Sequence, residues 1–426
     1  LHYSLEHLQQ AYADKGVSLV LRVGESKEVL TKLIKETKAE AVFWNRRYEP
    51  LLVQRDRDLK SELKERGLEV QSFNGLLMRE PWEVSTKQDT PYKVFSPFWK
   101  MHKQVYQHDS PAGMPRKLDG LAKSPPSAKL TDLKLLPEIP WDREFYEYWH
   151  PGEGHALKLF DSFLNKRIDG YGKNRDLPYE EGTSSLSPHL HFGEISPRQI
   201  WHKLKENYGD RLFKANDSVE AYGRELGWRE FAYHLLFHYP HTTDKPLREE
   251  FAKFPWHDKP AHLKRWQKGE TGYPIVDAGM RQLWTTGWMH NRVRMIVASF
   301  LVKDLVISWQ EGAKWFWDTL VDADLASNTL GWQWAGGCGA DAAPYFRIFN
   351  PTLQGEKFDP AGDYVKTWVP ELADVPKKYL HQPWNAEPSL LRSHGVTLDE
   401  NYPAPIVDHK RARIVALNAY EKVKKK

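Results

Sequence analysis

The sequence predicts two domains: an α/β domain with a doubly wound parallel sheet at residues 1–79 and a larger all-α domain at residues 151–426. Three observations lead to this prediction. A chain of 426 residues is too long for one ordinary core. Strand and helix patterns alternate in its first third, which is typical of a parallel sheet. Beyond a proline-rich stretch at residues 80–150, the pattern is helical almost throughout.

The N-terminal domain is predicted to follow the order βαβαβ. Residues 17–23, 41–44 and 68–73 are the expected strands, and residues 27–36 and 50–66 are the expected helices. A further helix is expected at residues 4–12, with no strand before it. We therefore expect the first strand of this domain to be missing from the sequence.

The connector at residues 80–150 lacks regular periodicity and carries eight prolines between positions 91 and 140. It is predicted to lie over the surface. In the all-α domain, Ser187-Pro188 and Ser196-Pro197 are predicted helix starts, each with a cap residue before a proline at the first helical position.

Composition narrows the class of protein. Charged residues make up 28% of the chain and the mean hydropathy is −0.67, which is typical of a globular protein and not of a disordered or membrane one. Cys338 is the only cysteine, so an internal disulfide is excluded. We expect a cytoplasmic monomer without a metal or a membrane segment. The net charge of +4 permits nucleic-acid binding without requiring it.

Two segments carry side chains that could bind a ligand: residues 182–188 have hydroxyls, and the predicted helix at residues 218–239 has charged and aromatic groups. Residues 182–188 place hydroxyls before a helix start, where backbone N–H groups favour a phosphate, although an ordinary N-cap has the same pattern. On the predicted helix at residues 218–239, Tyr222, Glu225 and Arg229 share one face, and Trp228 adjoins it. That face could hold a nucleobase, or Glu225 and Arg229 could form an ordinary intrahelical pair.

A third segment contains Asn291 and Met295 one helical turn apart. Arg292 and Arg294 lie between them and are available to a phosphate or a carboxylate. His290 is assigned no chemistry, because a single histidine is more often a structural residue than a catalyst.

A fourth segment joins Asp322, Asp324 and Asn328 to Trp332 and Trp334. Paired aspartates suggest a metal or a hydrogen-bonded heterocycle. Since no further ligand cluster stands beside them, the heterocycle is favoured. The alternative is that the acids cap helices and the indoles fill the core.

Several long motifs resemble the photolyase and cryptochrome family, and specifically its class I cyclobutane pyrimidine dimer photolyases (deoxyribodipyrimidine photo-lyases). The motifs are GTSSLSPHLHFGEISPRQ, ELGWREF, TGYPIVDAGMRQLWTTGWMHNRVRM, DADLASN and GWQWAGGCGADAAPYFRIFNP. The resemblance implies light-driven DNA repair by reduced FAD bound in the all-α domain. The positions that match the family's flavin contacts are Tyr171, Thr183, Ser184, Ser185, Leu186, Ser187, Tyr222, Arg294, Asp322, Ala323, Asp324 and Asn328.

The resemblance also implies sites for DNA and for electron transfer. The dimer pocket matches Glu225, Trp228, Asn291, Met295 and Trp334, and Arg175, Arg229, Arg292 and Gln354 are placed toward DNA. Trp332, Trp309 and Trp256 match the three tryptophans that carry electrons to the flavin, whereas Trp266 and Trp288 are expected to be core.

Two departures refine the expectation. Relatives that repair (6-4) photoproducts carry histidines where Asn291 and Met295 stand, so the cyclobutane dimer is the expected substrate. Folate-binding members carry an Asn-Glu pair where this chain has Leu51 and Leu52, which makes a folate antenna doubtful and leaves a deazaflavin, another flavin or no antenna. A blue-light receptor that signals without repair is the alternative function.

Overall fold

The computed structural model describes residues 1–105, 110–113 and 115–424. Its N-terminal part contains a parallel pair of strands, β1 (Ala41–Asn45) and β2 (Glu69–Phe73), joined by helix α3 (Pro50–Glu65). Helices α1 (His2–Ala13) and α2 (Ser26–Thr37) precede them. Five predicted elements, three helices and two strands, are thus confirmed, and each observed end lies within two residues of the predicted one.

Residues 17–23 are not a strand, which corrects the prediction. Their backbone bonds to the connector: the amide of Leu21 donates to Ser127 Oγ at 2.9 Å, and the amide of Ala128 donates to the carbonyl of Leu21 at 2.9 Å. Because these backbone groups join no ladder, the sheet within the described residues has two strands and not the doubly wound arrangement expected.

The connector does not simply lie over the surface. It contains helix α4 (Phe95–Val105), whose buried residues Phe95, Phe98, Trp99 and His102 follow helical spacing. This apolar face packs against the longest helix of the all-α part, so α4 contributes to that core. A short helix α5 (Phe145–Tyr148) follows, and connector residues 106–109 and 114 lie outside the described residues.

The remaining chain is helical. Its helices are α6 (Glu153–Lys166), α7 (Tyr171–Asn174), α8 (Ser187–Phe192), α9 (Pro197–Tyr208), α10 (Ser218–His238), α11 (Pro260–Lys268), α12 (Pro274–Thr286), α13 (Asn291–Ser299), α14 (Trp309–Thr319), α15 (Leu325–Gly336), α16 (Pro351–Phe358), α17 (Asp363–Trp368), α18 (Lys377–Leu380), α19 (Pro388–Ser393) and α20 (His409–Lys424). In the part of the chain that the structure describes, none of the helices is long and apolar enough to cross a bilayer.

The two predicted helix starts have different outcomes. Ser196 caps α9 as expected, because its hydroxyl accepts from the amide of Gln199 at 3.1 Å in a capping box. Ser187 is not a cap. It is already the first residue of α8, Leu186 is the N-cap, and no side-chain cap bond forms there.

Candidate functional site

Four polar links connect α7, α10, α13 and α15 in a closed series. We call them the polar ring: Arg175 to Glu225 at 2.5 Å, Arg292 to Asp176 at 2.9 Å, Arg294 to Asp322 at 2.9 Å, and the hydroxyl of Tyr233 to Asp324. Arg175 and Asp176 directly follow α7, Glu225 and Tyr233 lie on α10, both other arginines lie on α13, and Asp322 and Asp324 lead into α15. The ring therefore brings together residues that are far apart in sequence.

Glu225 is held from outside its own helix. Arg175 donates to its Oε1, and the Arg175 guanidinium lies 5.6 Å from the centre of the Tyr171 ring. The alternative of a Glu225–Arg229 pair is wrong: Arg229 donates to the carbonyl of Leu76 at 2.8 Å and lies over the ring of Tyr233. The predicted DNA contact of Arg229 stays a prediction, and this packing favours a structural role.

Helix α13 carries four candidate residues, Asn291, Arg292, Arg294 and Met295, and its N-terminus is capped. The buried ring of His290 is the N-cap, and its Nδ1 accepts from the amide of Arg292 at 3.2 Å. Burial lowers the pKa of His290 to about 4, so the ring is neutral and able to accept near pH 7. Asn291 is exposed beside this cap, and Arg292 contacts both Asp176 and the sulfur of Met295, at 2.9 and 3.7 Å.

Arg294 makes the most buried ion pair of the ring. Its Nη2 donates to both oxygens of Asp322 at 3.1 and 2.9 Å, and its Nε donates to the carbonyl of Met289 at 2.7 Å. Asp322 is buried, so the guanidinium offsets the cost of desolvating its charge. Arg294 thus pairs with one of the two aspartates.

Asp324 has a different environment two residues later, with Ala323 half-buried between the two acids. Its Oδ1 accepts from the amide of Ser327 at 2.7 Å, which makes Asp324 the N-cap of α15. Its Oδ2 accepts from the hydroxyl of Tyr233. Burial, and then the charge of Asp324, raises the pKa of Tyr233 well above its ordinary value, which keeps this hydroxyl protonated and donating.

The hydroxyl-bearing segment, residues 182–188, is anchored to α7 and α10. Thr183 and Ser185 are half-buried, and Ser184 is buried and hydrogen-bonded to the hydroxyl of Tyr222. A methyl group on Gly182 would lie 2.6 Å from the carbonyl oxygen of Asn174, so the segment passes close to α7. Tyr171 and Tyr222 meet edge to face at 5.2 Å, and Ser187 Oγ accepts from Trp288 Nε1 at 3.2 Å.

The matched electron-transfer tryptophans share one apolar cluster. Trp332 and Trp309 are buried in it, and Trp256 is half-buried against it. In the described part of the chain, the rings in contact with Trp332 are those of Phe316 and Trp266, with centres 5.0 and 6.1 Å away. Trp266 is fully buried, whereas Trp288 is half-buried.

The two tryptophans matched to the dimer pocket are both half-buried. Trp228 stacks on Phe95 of α4 with ring centres 3.7 Å apart and planes 9° from parallel. One face of the Trp228 indole is therefore covered by the protein. Trp334 packs beside the apolar cluster of α15, and Gln354 is half-buried on α16.

The sequence did not identify three residues of the site, Phe95, Asp176 and Tyr233, or the role of His290 as the N-cap of α13. Phe95 had a signal, the helical spacing of the aromatics in α4. Asp176 and Tyr233 had none, because their partners Arg292 and Asp324 lie 116 and 91 residues away in sequence.

The residues of the site fit FAD. Hydroxyls of residues 182–188 and the Arg294 guanidinium are donors suited to a pyrophosphate. Two buried N–H groups, Nε2 of His290 and Nε1 of Trp332, have no partner within the described residues. Among those residues no cluster of acids, histidines and cysteine has the arrangement of a metal site. Asp322 accepts hydrogen bonds from Arg294, and Asp324 accepts from Tyr233 and from the amide of Ser327.

Two family models match the chain. The model described as the FAD binding domain of DNA photolyase matches residues 222–422, and the model described as DNA photolyase matches residues 1–116. A "Deoxyribodipyrimidine photo-lyase" of Agrobacterium fabrum is 49% identical over all of this chain and 88% of its own length.

A solved structure and a plant relative are also similar. The structure, described as a bacterial class III photolyase from Agrobacterium tumefaciens, has a TM-score of 0.96 and 48% identity, and the match covers all of this chain and 88% of that one. "Cryptochrome-1" of Arabidopsis thaliana is 38% identical over 97% of this chain and 62% of its own length.

Proposed function

The chain belongs to the DNA photolyase and cryptochrome family and carries its FAD-binding domain, and we propose that it repairs cyclobutane pyrimidine dimers in DNA with light. When bound in its reduced form, FAD would be held by residues that include Arg294, Asp322 and Asp324, and it would supply light-driven transfer of one electron to the dimer, with return of that electron after the dimer has split. Two carbon–carbon bonds of the cyclobutane ring break, and there is no net oxidation or reduction. The proposed assignment to class I rests on the motifs, whereas one similar structure is described as class III.

The polar ring is the observation that carries this proposal. It links residues matched to the lesion and to DNA, Arg175, Glu225 and Arg292, with residues matched to the flavin, Arg294, Asp322 and Asp324, in one closed set of contacts. A cofactor that reduces a bound lesion must lie beside it. Shared anchoring by four helices would keep the two binding sites at a fixed separation.

The lesion is proposed to enter by base flipping. An enzyme that acts on bases within a duplex must take them out of the stack, and a joined, poorly stacked pair costs less to extrude. Trp228 and Trp334 would then stack on the dimer, with Phe95 supporting the covered face of Trp228. Arg175 occupies Oε1 of Glu225, so the proposal assigns Oε2 to a ring N–H of the dimer.

The remaining contacts complete the pocket and bind the backbone. Exposed Asn291 is proposed to hydrogen-bond the base edge, and Met295 to pack against it. Arg175, Arg292 and Gln354 are proposed to face DNA, where guanidinium groups bind phosphates. The guanidinium of Arg229 already donates a hydrogen bond to the carbonyl of Leu76, which favours a structural role over a DNA contact.

Electrons for the initial reduction of the flavin are proposed to pass through Trp256, Trp309 and Trp332. Their exposure supports this order: Trp256 is half-buried, whereas Trp309 and Trp332 are only 3% and 2% exposed. An outer tryptophan must exchange electrons with a donor in solvent, and the inner one must lie next to the cofactor.

A second, antenna chromophore is consistent with the family. The sequence counts against folate, because Leu51 and Leu52 stand where folate-binding members carry an Asn-Glu pair. A deazaflavin, a second flavin or no antenna are the alternatives.

The experiment is to illuminate the chemically reduced protein with an oligonucleotide that contains one thymine cyclobutane dimer, and to measure restored thymines by chromatography. We expect repair under blue light and none in the dark. An oligonucleotide with a (6-4) photoproduct is the control and should stay unrepaired. Bound reduced FAD without dimer repair would contradict the proposal.

The similarity to Cryptochrome-1 of Arabidopsis supports one other candidate, a blue-light receptor. A receptor would bind and photoreduce FAD but would not restore thymines. The same assay separates the two functions, because only the repair enzyme turns over the damaged oligonucleotide.

A further inference from the structure

Gly312 of α14 lies directly against the Trp332 indole. A methyl group at Gly312 would overlap the outer six-membered ring of Trp332, and even the third-nearest ring atom, Cζ2, would lie only 2.5 Å away. Contacts this short do not occur at real Cβ atoms. Glycine is therefore the only residue at position 312 that leaves room for the observed ring position.

A hydrogen bond at the neighbouring residue, Ala313, restrains α14 against movement away from α15. Nδ2 of Asn328, on α15, donates to the carbonyl of Ala313 at 3.0 Å, which ties the two helices together at the level of Trp332. Two aromatic rings also contact the indole edge to face: Phe316, which belongs to α14, and Trp266. The ring is thus enclosed by one turn of α14, by α15 and by two aromatic side chains.

We propose that Gly312 is a positioning residue for the inner electron-transfer tryptophan: the absence of a side chain at this position sets where the Trp332 ring lies. The proposal rests on the function proposed above, because it assumes that Trp332 passes electrons to the flavin. It adds the residue that fixes the geometry of that step.

The consequence of Gly312→Ala follows from the packing. With α14 tied to α15, the added methyl must push the indole into a tightly packed core, and overpacking of this kind strains side chains and backbone. A ring displaced by about 1 Å has a changed distance and orientation to its redox partners, so we expect photoreduction of oxidised FAD to slow by roughly threefold or more, since a rate falls when the participating groups are misplaced.

The matched control is Gly154→Ala. Gly154 is an exposed glycine of α6, and a methyl group there would meet nothing within 4 Å. This variant adds the same methyl to a helix that carries neither Trp332 nor any residue matched to the flavin. We expect its photoreduction rate to stay within about twofold of the wild-type rate, and its thermal stability to be equal or higher, as glycine is a poor helix former.

A double-mutant cycle provides a readout that does not need the cofactor. Trp332→Phe removes the ring atoms that the methyl would overlap. We expect Gly312→Ala to lower the thermal midpoint by roughly 5 °C in the wild-type background and by less than half of that in the Trp332→Phe background. Equal shifts in both backgrounds would overturn the proposal.

Photoreduction separates this inference from the proposed function. Normal photoreduction by Gly312→Ala, with Trp332→Phe inactive, would show that Gly312 does not position the ring. Normal photoreduction by Trp332→Phe would instead refute the electron route while leaving the packing cycle interpretable. Slow photoreduction in Gly312→Ala, normal photoreduction in Gly154→Ala and a coupled stability cycle would together support the proposal.

Discussion

Acidification should destabilise the protein through His290, the cap of the helix that carries Asn291, Arg292 and Arg294. Burial is the largest cause that lowers the pKa of His290 from 6.5 to about 4, and neighbouring Arg292 and Arg294 act in the same direction. The unfolded chain therefore binds a proton between pH 6.5 and pH 4 that the folded chain does not. Stability is full above pH 6.5 and falls as the pH drops through this window.

The pKa shift sets the magnitude of the effect. A difference of about 2.5 units corresponds to roughly 3 kcal/mol, of which about 1 kcal/mol should be lost by pH 6 and about 2 kcal/mol by pH 5. Protonation also removes the acceptor at Nδ1, so the amide of Arg292 loses its cap bond. The start of α13 should loosen together with the loss of global stability.

His290→Asn isolates this contribution, because asparagine is a good N-cap and does not titrate. Urea unfolding of both proteins should be followed at pH 7, 6 and 5, with FAD retention measured in parallel. His234, whose pKa burial lowers to about 3, contributes in the same direction to both proteins and cancels in their difference. If the two proteins lost stability in parallel from pH 7 to pH 5, the assigned role of His290 would be wrong.

Three further substitutions test the site. Trp332→Phe should block photoreduction of oxidised FAD but spare dimer repair by chemically reduced protein, and normal photoreduction would exclude the proposed route. Arg294→Met leaves the buried charge of Asp322 without its partner, which should cost about 3 kcal/mol in urea unfolding and lower the bound FAD; unchanged values for both would contradict the pairing argument. Glu225→Gln should slow repair by roughly ten- to a hundredfold, the loss expected for one charge-assisted hydrogen bond, with FAD content as the control and an unchanged rate as the refuting result.

Sequence patterns predicted the elements whose signal is local. The helix at residues 50–66 carries its own periodicity and a proline at its start, and the structure has α3 at Pro50–Glu65. Residues 17–23 have the composition of a strand, yet a strand exists only where a neighbour completes its ladder, and Leu21 bonds to Ser127 and Ala128 instead. The local pattern could not show which partner the backbone would find.

For the candidate site too, the sequence identified individual residues but not the contacts between them. The resemblance identified Glu225, Arg294 and Asp322, but it did not show what holds them in place. Arg175, expected to face DNA, also pairs with Glu225, and the partner of Asp324 is Tyr233 of α10. Such contacts join segments that only the tertiary fold brings together, so they cannot be predicted from periodicity and spacing in the sequence.

The Arg294–Asp322 pair of the ring is better explained by a ligand than by stability. Replacing a buried ion pair with apolar residues of similar size often leaves stability unchanged or raises it, since desolvating each charge costs free energy that the attraction between the partners only partly offsets. Arg294 is half-buried and its partner Asp322 is buried, and apolar side chains at these two positions would have sufficed for packing α13 against the start of α15. What apolar residues could not supply are a donor for a phosphate and an acceptor for a ring N–H. The pair therefore supports a charged heterocyclic cofactor at this place in the fold, and FAD has both of these groups.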